Sequence, residues 1–295
     1  MRTGTLNTLA NLPFLKMNGL GNEIVVLDLR GSSHIITERE ARAIGQFDRA
    51  KFEQLMVLHD PISEGTDAFV RIYNADGSEA GACGNGTRCV AYALLRNSDR
   101  TTILIETIAG QLICTRVSDE LFTVDMGTPL FAWHDIPLRE EVPDTSALPL
   151  SRHMIGLPPL EAPVAVNMGN PHAVFFVDNT AAYDLTALGP SLEHDPLFPK
   201  RANISFAQVI DRNHIKLRVW ERGAGETQAC GSGACATAIA AIKRGFTNRN
   251  VRVSLPGGDL IIEWRMDDHV LMTGPAALEW EDQLPPNIFK DTATS

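Results

Sequence analysis

Ala82-Cys83-Gly84-Asn85-Gly86 and Ala229-Cys230-Gly231-Ser232-Gly233 read almost as copies of one another, each a cysteine followed by a glycine-rich step into a helix. Cys230 lies 147 positions after Cys83. At that offset the flanking residues align without a gap: Arg71 on Arg218, Glu79 on Glu226, Ala91 on Ala238 and Ala93 on Ala240. A duplicated half-chain folds into two similar lobes, and a duplicated reactive group then faces its twin across the cleft between them. Two facing thiols suit a cofactor-free racemase, in which one removes a proton from a carbon and the other returns one from the opposite side.

Composition bounds the answer more loosely. At 295 residues the chain can bury two ordinary cores, and its length favours two domains. Apolar residues make up 44% and charged residues 21%, as in ordinary globular proteins. A formal charge of −10 with no basic run argues against nucleic acid and anionic membrane as partners. No apolar run approaches the length that spans a bilayer. Met1–Leu12 lacks the apolar core of a secretion signal and reads as a short flexible extension. The five cysteines are Cys83, Cys89, Cys114, Cys230 and Cys235, an odd and sparse set that suits a reducing cytosol rather than a disulfide scaffold. Their spacings lack the tight pairs of structural zinc sites, so no metal is expected.

Short strands alternate with a few helices. Glu23–Leu29, Gln54–Leu58, Ala68–Tyr73, Thr102–Thr107, Gln111–Val117 and Leu121–Met126 read as strands. Thr37-Glu38-Arg39-Glu40 is a capping-box sequence that should open a helix over 38–46. Thr87–Leu95 has apolar residues at helical spacing after the first glycine loop. The second half repeats the order, with strands at 164–168, 173–177, 205–210 and 215–220, helices at 185–193 and 234–243, and strands at 251–255, 260–263 and 270–273. Gly169-Asn170 ahead of its strand matches Gly21-Asn22 ahead of the strand at 24–28. The fold class is therefore α/β (α+β). The expected lobes are residues 1–128 with 276–295, carrying Cys83, and 129–275, carrying Cys230. The tail from Pro275 is expected to return to the first lobe.

Each cysteine stands immediately before a helix, where the first N–H groups lack intrahelical partners and the peptide dipoles leave partial positive charge. Gly84, Gly86, Gly231 and Gly233 let an anion approach those amides. Such a site should lower a thiol pKa from about 8.5 and cradle a carboxylate on which charge grows as its α-proton leaves. A lone cysteine before a helix is ordinarily a small buried apolar residue, and Cys89, Cys114 and Cys235 are read that way. Neither loop has the Lys-Ser or Lys-Thr of a P-loop. Repetition of the same unusual design at matching positions separates Cys83 and Cys230 from the rest.

The segment Arg71-Ile72-Tyr73-Asn74-Ala75-Asp76-Gly77-Ser78-Glu79, running on to Ala82–Cys89, resembles the first signature of the diaminopimelate epimerase family. Glu221-Arg222-Gly223-Ala224-Gly225-Glu226-Thr227, running on to Ala229–Ala234, resembles the second. Asn18-Gly19-Leu20-Gly21-Asn22, Gly169-Asn170-Pro171-His172 and Arg201-Ala202-Asn203 add further matches, and the likeness covers roughly residues 13–280. Two departures are conservative: Glu53 replaces an aspartate before Gln54, and Ser232 replaces a frequent threonine.

The resemblance implies two pseudo-symmetric lobes, each a curled, mostly antiparallel sheet around a central helix. It implies a cofactor-independent epimerase interconverting LL- and meso-diaminopimelate in the lysine and peptidoglycan precursor pathway. Cys83 and Cys230 would be the catalytic acid and base, with the family assignment making Cys83 the donor and Cys230 the acceptor. His172 and Glu221 would adjust a thiol pKa. Substrate contacts would come from Asn22, Gln54, Asn74, Gly84, Asn85, Asn170, Asn203, Glu221, Arg222, Gly231 and Ser232. Arg222 can grip a carboxylate with parallel N–H bonds, the distal one in this substrate, and Glu221 can take an ammonium. The asparagines measure an amino acid end without imposing charge, although loop asparagines commonly bond their own backbone. The resemblance is also compatible with a homodimer, and the location implied is cytoplasmic. Two other readings compete: a proline racemase-like enzyme, with little use for Glu221, Arg222 and the asparagines, and a non-catalytic amino-acid-binding protein, which would not need the thiols.

Overall fold

Alternation of apolar and polar residues becomes strand pairing in the computed structural model, which describes residues 9–81 and 83–288. Met1–Thr8, Ala82 of the first loop and the last seven residues lie outside the described residues. The chain divides after Val124 and after Gly274. One compact unit runs up to Val124 and resumes at Pro275; the other is Asp125–Gly274. The first boundary falls slightly ahead of the expected 128/129 because Met126 and Gly127 are already zipped to the second unit. Met126 N donates to Val270 O, and Val270 N to Gly127 O, both at 2.9 Å.

In chain order the first unit contains β1 (Pro13–Asn18), β2 (Glu23–Asp28), α1 (Glu38–Gln46), β3 (Gln54–His59), β4 (Ala68–Asn74), β5 (Glu79–Ala80), α2 (Gly84–Leu95), β6 (Thr102–Thr107), β7 (Gly110–Arg116) and β8 (Leu121–Asp125). The second contains the small hairpin β9 (Ser151–Arg152) and β10 (Leu160–Glu161). It continues with β11 (Val164–Asn167), β12 (Pro171–Phe176), α3 (Leu185–Glu193), β13 (Asn203–Asp211), β14 (His214–Glu221), β15 (Gly225–Thr227), α4 (Gly231–Lys243), β16 (Asn250–Leu255), β17 (Gly258–Trp264) and β18 (Val270–Pro275). The chain then returns to the first unit as β19 (Ala277–Gln283), antiparallel to β1.

Each unit lays its strands in the same succession. In the first, β1–β2 is antiparallel, β2–β3 parallel, β3–β4 antiparallel, β4–β6 parallel, and β6–β7 and β7–β8 antiparallel, with β5 folded back on β4. In the second, β11–β12 is antiparallel, β12–β13 parallel, β13–β14 antiparallel, β14–β16 parallel, and β16–β17 and β17–β18 antiparallel, with β15 folded back on β14. The ion pair flanking each loop is repeated too: Arg71 with Glu79 at 3.0 Å, and Arg218 with Glu226 at 2.7 Å.

The helix behind each cysteine is the centre of its unit. α4 is a run of small residues, Ala-Cys-Ala-Thr-Ala-Ile-Ala-Ala, buried from Gly233 through Ala241 on every face. It packs against β11, β12, β13, β14, β16 and β17. A helix buried all round must be enclosed by its sheet, and alanine permits the close approach while favouring helix. α2 is buried continuously from Asn85 to Ala91 and packs against β1, β2, β3, β6 and β7. Separate apolar clusters lie outside these helices, Phe14, Val25, Leu55 and Ile44 in the first unit and Phe175, Tyr183, Phe206 and Leu192 in the second.

α1 and α3 occupy the spans expected of them, α1 with both halves of its capping box formed between Thr37 and Glu40. α2 and α4 begin three residues earlier than expected, because the glycines already adopt helical geometry after the cysteine. Pro171 and His172, expected as loop, belong to β12. β1 and β19 had no sequence assignment of their own; β1 pairs antiparallel with both β2 and β19, which brings the two ends of the chain together. Leu9–Leu12 are not part of a flexible extension. Leu9 is fully buried, and Asn11 N donates to Leu284 O at 2.9 Å.

The turn Asn74–Ser78 is set by Gly77, at φ +88°, where an added Cβ would lie 2.4 Å from the Glu38 carbonyl oxygen of α1. Gly77→Ala combines a left-handed backbone with a backbone clash. It should lower stability by about 2 kcal/mol, read as a drop in the denaturant midpoint.

Candidate active site

In the first unit, β3 and β4 pair with Gln54 opposite Asn74, and parallel β2 pairs with Ile24 opposite Gln54. This register brings Asn22, Gln54 and Asn74 to one end of three adjacent strands, and Gln54 reaches the cysteine that begins α2. Cys83 is its N-cap, in extended conformation (φ −150°, ψ 102°), and its Sγ accepts from Gly86 N at 3.2 Å. A thiol thus stands where helices ordinarily carry a hydroxyl or carboxylate. Its S–H donates to Gln54 Oε1 at 2.6 Å. Gly86 packs closely on the Met56 side chain, whose Sδ would lie 2.4 Å from an added Cβ and would have to shift to admit one.

The polar side chains at this end of the unit are held in place. Asn22 Nδ2 donates to Glu53, so the glutamate at the family's aspartate position still anchors the loop. Asn74 Nδ2 donates to Ser78 Oγ at 3.0 Å. Asn85 is buried, and its Oδ1 accepts from Arg88 Nη2 at 3.1 Å. Arg88, itself fully buried, also donates from Nε to Pro275 O at 3.0 Å. Asn85 therefore turns its side chain inward and offers the loop its backbone.

The second unit uses the same frame with different groups. Cys230 caps α4 in extended conformation (φ −124°, ψ 105°), and its Sγ accepts from Gly233 N at 3.4 Å with Ser232 Oγ at 3.7 Å. Glu221 ends β14 at the position matching Asn74, its Oε1 accepting from Thr227 Oγ1 at 2.6 Å. The expectation that a helix N-terminus lowers the thiol pKa fails at Cys230. Burial, then the negative charge of Glu221, push this thiol well above its ordinary range, outweighing the bonds from Ser232 and Gly233. Cys230 is 3% exposed, so the lost hydration of a thiolate is the larger effect. Burial likewise lifts Cys89 and Cys114 to about 12, as inert core thiols.

His172 lies opposite Asn203 in the parallel β12–β13 register and is fully buried. Desolvation and the Arg222 charge depress its pKa to about 3, leaving a neutral ring. Asn170 Nδ2 donates to Ser232 Oγ at 3.2 Å, so Asn170 Oδ1 is the acceptor at 2.9 Å for the His172 Nε2–H. His172 thus connects toward Cys230 as a dipole, through Asn170 and Ser232. Asn203 is fixed at both ends, with Nδ2 donating to Pro171 O at 3.1 Å and Oδ1 accepting from Arg222 N at 2.9 Å. Arg222 is exposed, with Nη1 donating to Lys200 O at 3.1 Å.

Sequence reasoning missed Thr227, which steadies Glu221, and Arg88, which holds Asn85. Both lie inside the quoted motifs, where a hydroxyl two residues past a glycine and a cation in a small-residue helix were the available signals. Among the described residues no group of three or more His, Cys, Asp or Glu side chains could hold a metal, and no helix is long and apolar enough to cross a membrane. A groove of about 510 Å³ between Arg249 and Asp267 contains neither cysteine loop.

The diaminopimelate epimerase family model matches residues 14–132 and 164–279. The chain belongs to the diaminopimelate epimerase family. It is 57% identical over 293 residues to the diaminopimelate epimerase of Methylobacterium sp. (strain 4-46), covering 98% of this chain and all of that one. It is 55% identical over 289 residues to that of Methylocella silvestris, with the same coverage. Among solved structures, a predicted epimerase from Pseudomonas aeruginosa superposes with a TM-score of 0.67 at 17% identity, covering 92% of this chain and 99% of that one. At that identity the likeness concerns the fold, and both are mixed α/β. The signature cysteines and the residues around them lie within the matched spans.

The buried imidazole gives this site a pH signature. Below about 6.5 the unfolded chain binds a proton at His172 that the folded protein refuses until about pH 3. Stability should therefore fall as pH drops through that window, because the unfolded state binds more protons. His172→Gln should flatten the fall, seen in denaturant midpoints measured from pH 7 to pH 3.

Proposed function

We propose that the protein interconverts LL- and meso-diaminopimelate by two-base proton transfer at the α-carbon, without a cofactor, in the formation of lysine and peptidoglycan precursors. The observation that carries this reading is the repeated use of a cysteine as the N-cap of a buried helix, at matching positions in the two units of an epimerase-family chain. In this reading Cys83 and Cys230 face opposite sides of the α-carbon. One sulfur, as thiolate, takes the α-proton while the other, as thiol, donates its own to the opposite face. The sulfurs exchange protonation states at each turnover. The α-carboxylate lies on the first-turn amides at Gly84, Asn85, Gly231 and Ser232, where the helix ends stabilise the charge that builds as the carbanion forms.

The unequal neighbours of the sulfurs give the cycle a direction of activation. Cys230 rests as a thiol because it is buried beside Glu221. A substrate ammonium paired with Glu221 offsets that negative charge and returns the sulfur toward thiolate. Activation then follows binding rather than preceding it. Arg222 meets the distal carboxylate, while Asn22, Gln54, Asn74, Asn170 and Asn203 supply neutral contacts. A proline racemase-like substrate, with a single carboxylate and no second amino acid end, leaves Glu221 and Arg222 without a role, and that alternative is not favoured. All five cysteines are free, which fits the proposed cytoplasmic location. A homodimer belongs to the same reading and is tested by light scattering of the purified protein.

Incubation with LL-diaminopimelate in deuterated water should give meso product and deuterium at the α-position. Absence of both under reducing conditions overturns the proposal. Cys83→Ala and Cys230→Ala should each remove epimerisation, a loss on the order of 10³-fold or more. Cys89→Ala and Cys235→Ala should retain it within about threefold, since neither sulfur takes part in proton transfer.

A further inference from the structure

Three donors converge on Glu193, the last residue of α3, which is 3% exposed. Its Oε1 accepts from Gly223 N at 3.0 Å and from Arg201 Nη1 at 3.1 Å, and its Oε2 accepts from Trp220 Nε1 at 2.7 Å. Trp220 and Gly223 bracket Glu221 and Arg222. Arg201 leads into Asn203, whose Oδ1 accepts from Arg222 N at 2.9 Å. One buried carboxylate is thus fastened to both sides of the turn that presents Arg222 and to the segment that supports it.

Two further features are built to suit this contact. One helical turn before Glu193, a Cβ on Gly189 would lie 2.2 Å from Trp220 Cδ2, so glycine alone lets the indole lie against α3 and point its N–H at the carboxylate. Arg201 is held at φ +60°, a left-handed conformation uncommon outside glycine, while its guanidinium reaches Glu193. Only a group that accepts on both oxygens satisfies three donors at once. Glutamine would set an NH2 group against one of them.

We propose that Glu193 is a positioning residue for the substrate's non-reacting end: it fixes the 220–223 turn so that Arg222 is held ready for the distal carboxylate. The proposal rests on the diaminopimelate reading of the site. Glu221 in the same turn has its own anchor in Thr227, so loss of Glu193 disturbs binding of the distal end more than proton transfer.

The test compares Glu193→Gln with the unaltered protein in steady-state turnover of LL-diaminopimelate. KM should rise roughly tenfold to hundredfold, the worth of a charge-assisted contact, while kcat changes by less than about threefold. Gly189→Ala, which unseats Trp220 without touching the carboxylate, should give the same split and serves if the first variant does not fold. In an Arg222→Ala background the KM penalty of Glu193→Gln should largely vanish. An unchanged KM in a folded variant, or a penalty undiminished without Arg222, overturns the proposal. If the unaltered protein does not epimerise the substrate, the functional reading falls by itself, and amide hydrogen exchange then decides the role of Glu193. Faster exchange at residues 200–203 and 221–224 in Glu193→Gln supports it, and unchanged exchange there refutes it.

Discussion

A sulfur atom caps the N-terminus of a helix that its own sheet encloses, and the rest of each unit is arranged around that constraint. An enclosed helix cannot leave its first amides to water, so the capping atom must be supplied by the chain. Cys83 and Cys230 supply it, each accepting from the amide three residues on. The same contact fixes the sulfur in place, because a capping side chain has little rotational freedom. The glycine at that amide fits close walls: Met56 stands against Gly86, and Val219 and the capping sulfur itself lie 3.1 Å from the Cβ position of Gly233. Packing, capping and placement of the sulfur are one arrangement.

Duplication preserved this frame and changed what surrounds the sulfur. The strand succession, the Arg–Glu pairs beside the loops and the capping geometry recur in both units. The chemistry does not. Cys83 donates to an uncharged carboxamide at Gln54, whereas Cys230 lies beside the carboxylate of Glu221. The position of Asn74 in one unit is that of Glu221 in the other. The exchange of asparagine for glutamate on a common scaffold thus adds a negative charge beside Cys230, which together with the larger effect of burial holds that thiol above its ordinary range.

The frame was legible in the sequence because its signals are local. A capping box, glycine-rich steps and a run of small apolar residues each specify their element through neighbours a few positions away, and α1 and α3 fell at their expected residues. Elements made by distant pairing were not legible: β1 and β19 meet from opposite ends of the chain. The site divided along the same line. Both cysteines, the asparagines and the Glu221-Arg222 pair stand in recognisable motifs, but their electrostatics depend on burial. A helix N-terminus argues for a low thiol pKa at Cys230, and its seclusion beside a carboxylate reverses the sign. Glu193 shows the limit most clearly, since nothing near it in sequence announces that donors from positions 201, 220 and 223 will meet there.

That convergence also bears on how the exposed Arg222 is held. A long cationic side chain in water samples many rotamers, and ordering it on binding costs free energy. The turn carrying Arg222 is fastened below by a buried carboxylate, its backbone N–H is held by Asn203, and its guanidinium already rests on the Lys200 carbonyl. Much of that ordering is complete in the folded protein. With the constraint on the buried Glu193 rather than on the exposed guanidinium, the arginine stays accessible while its turn is held from the core. The sulfurs follow the same rule, each capping an element whose position is decided by the residues packed behind it.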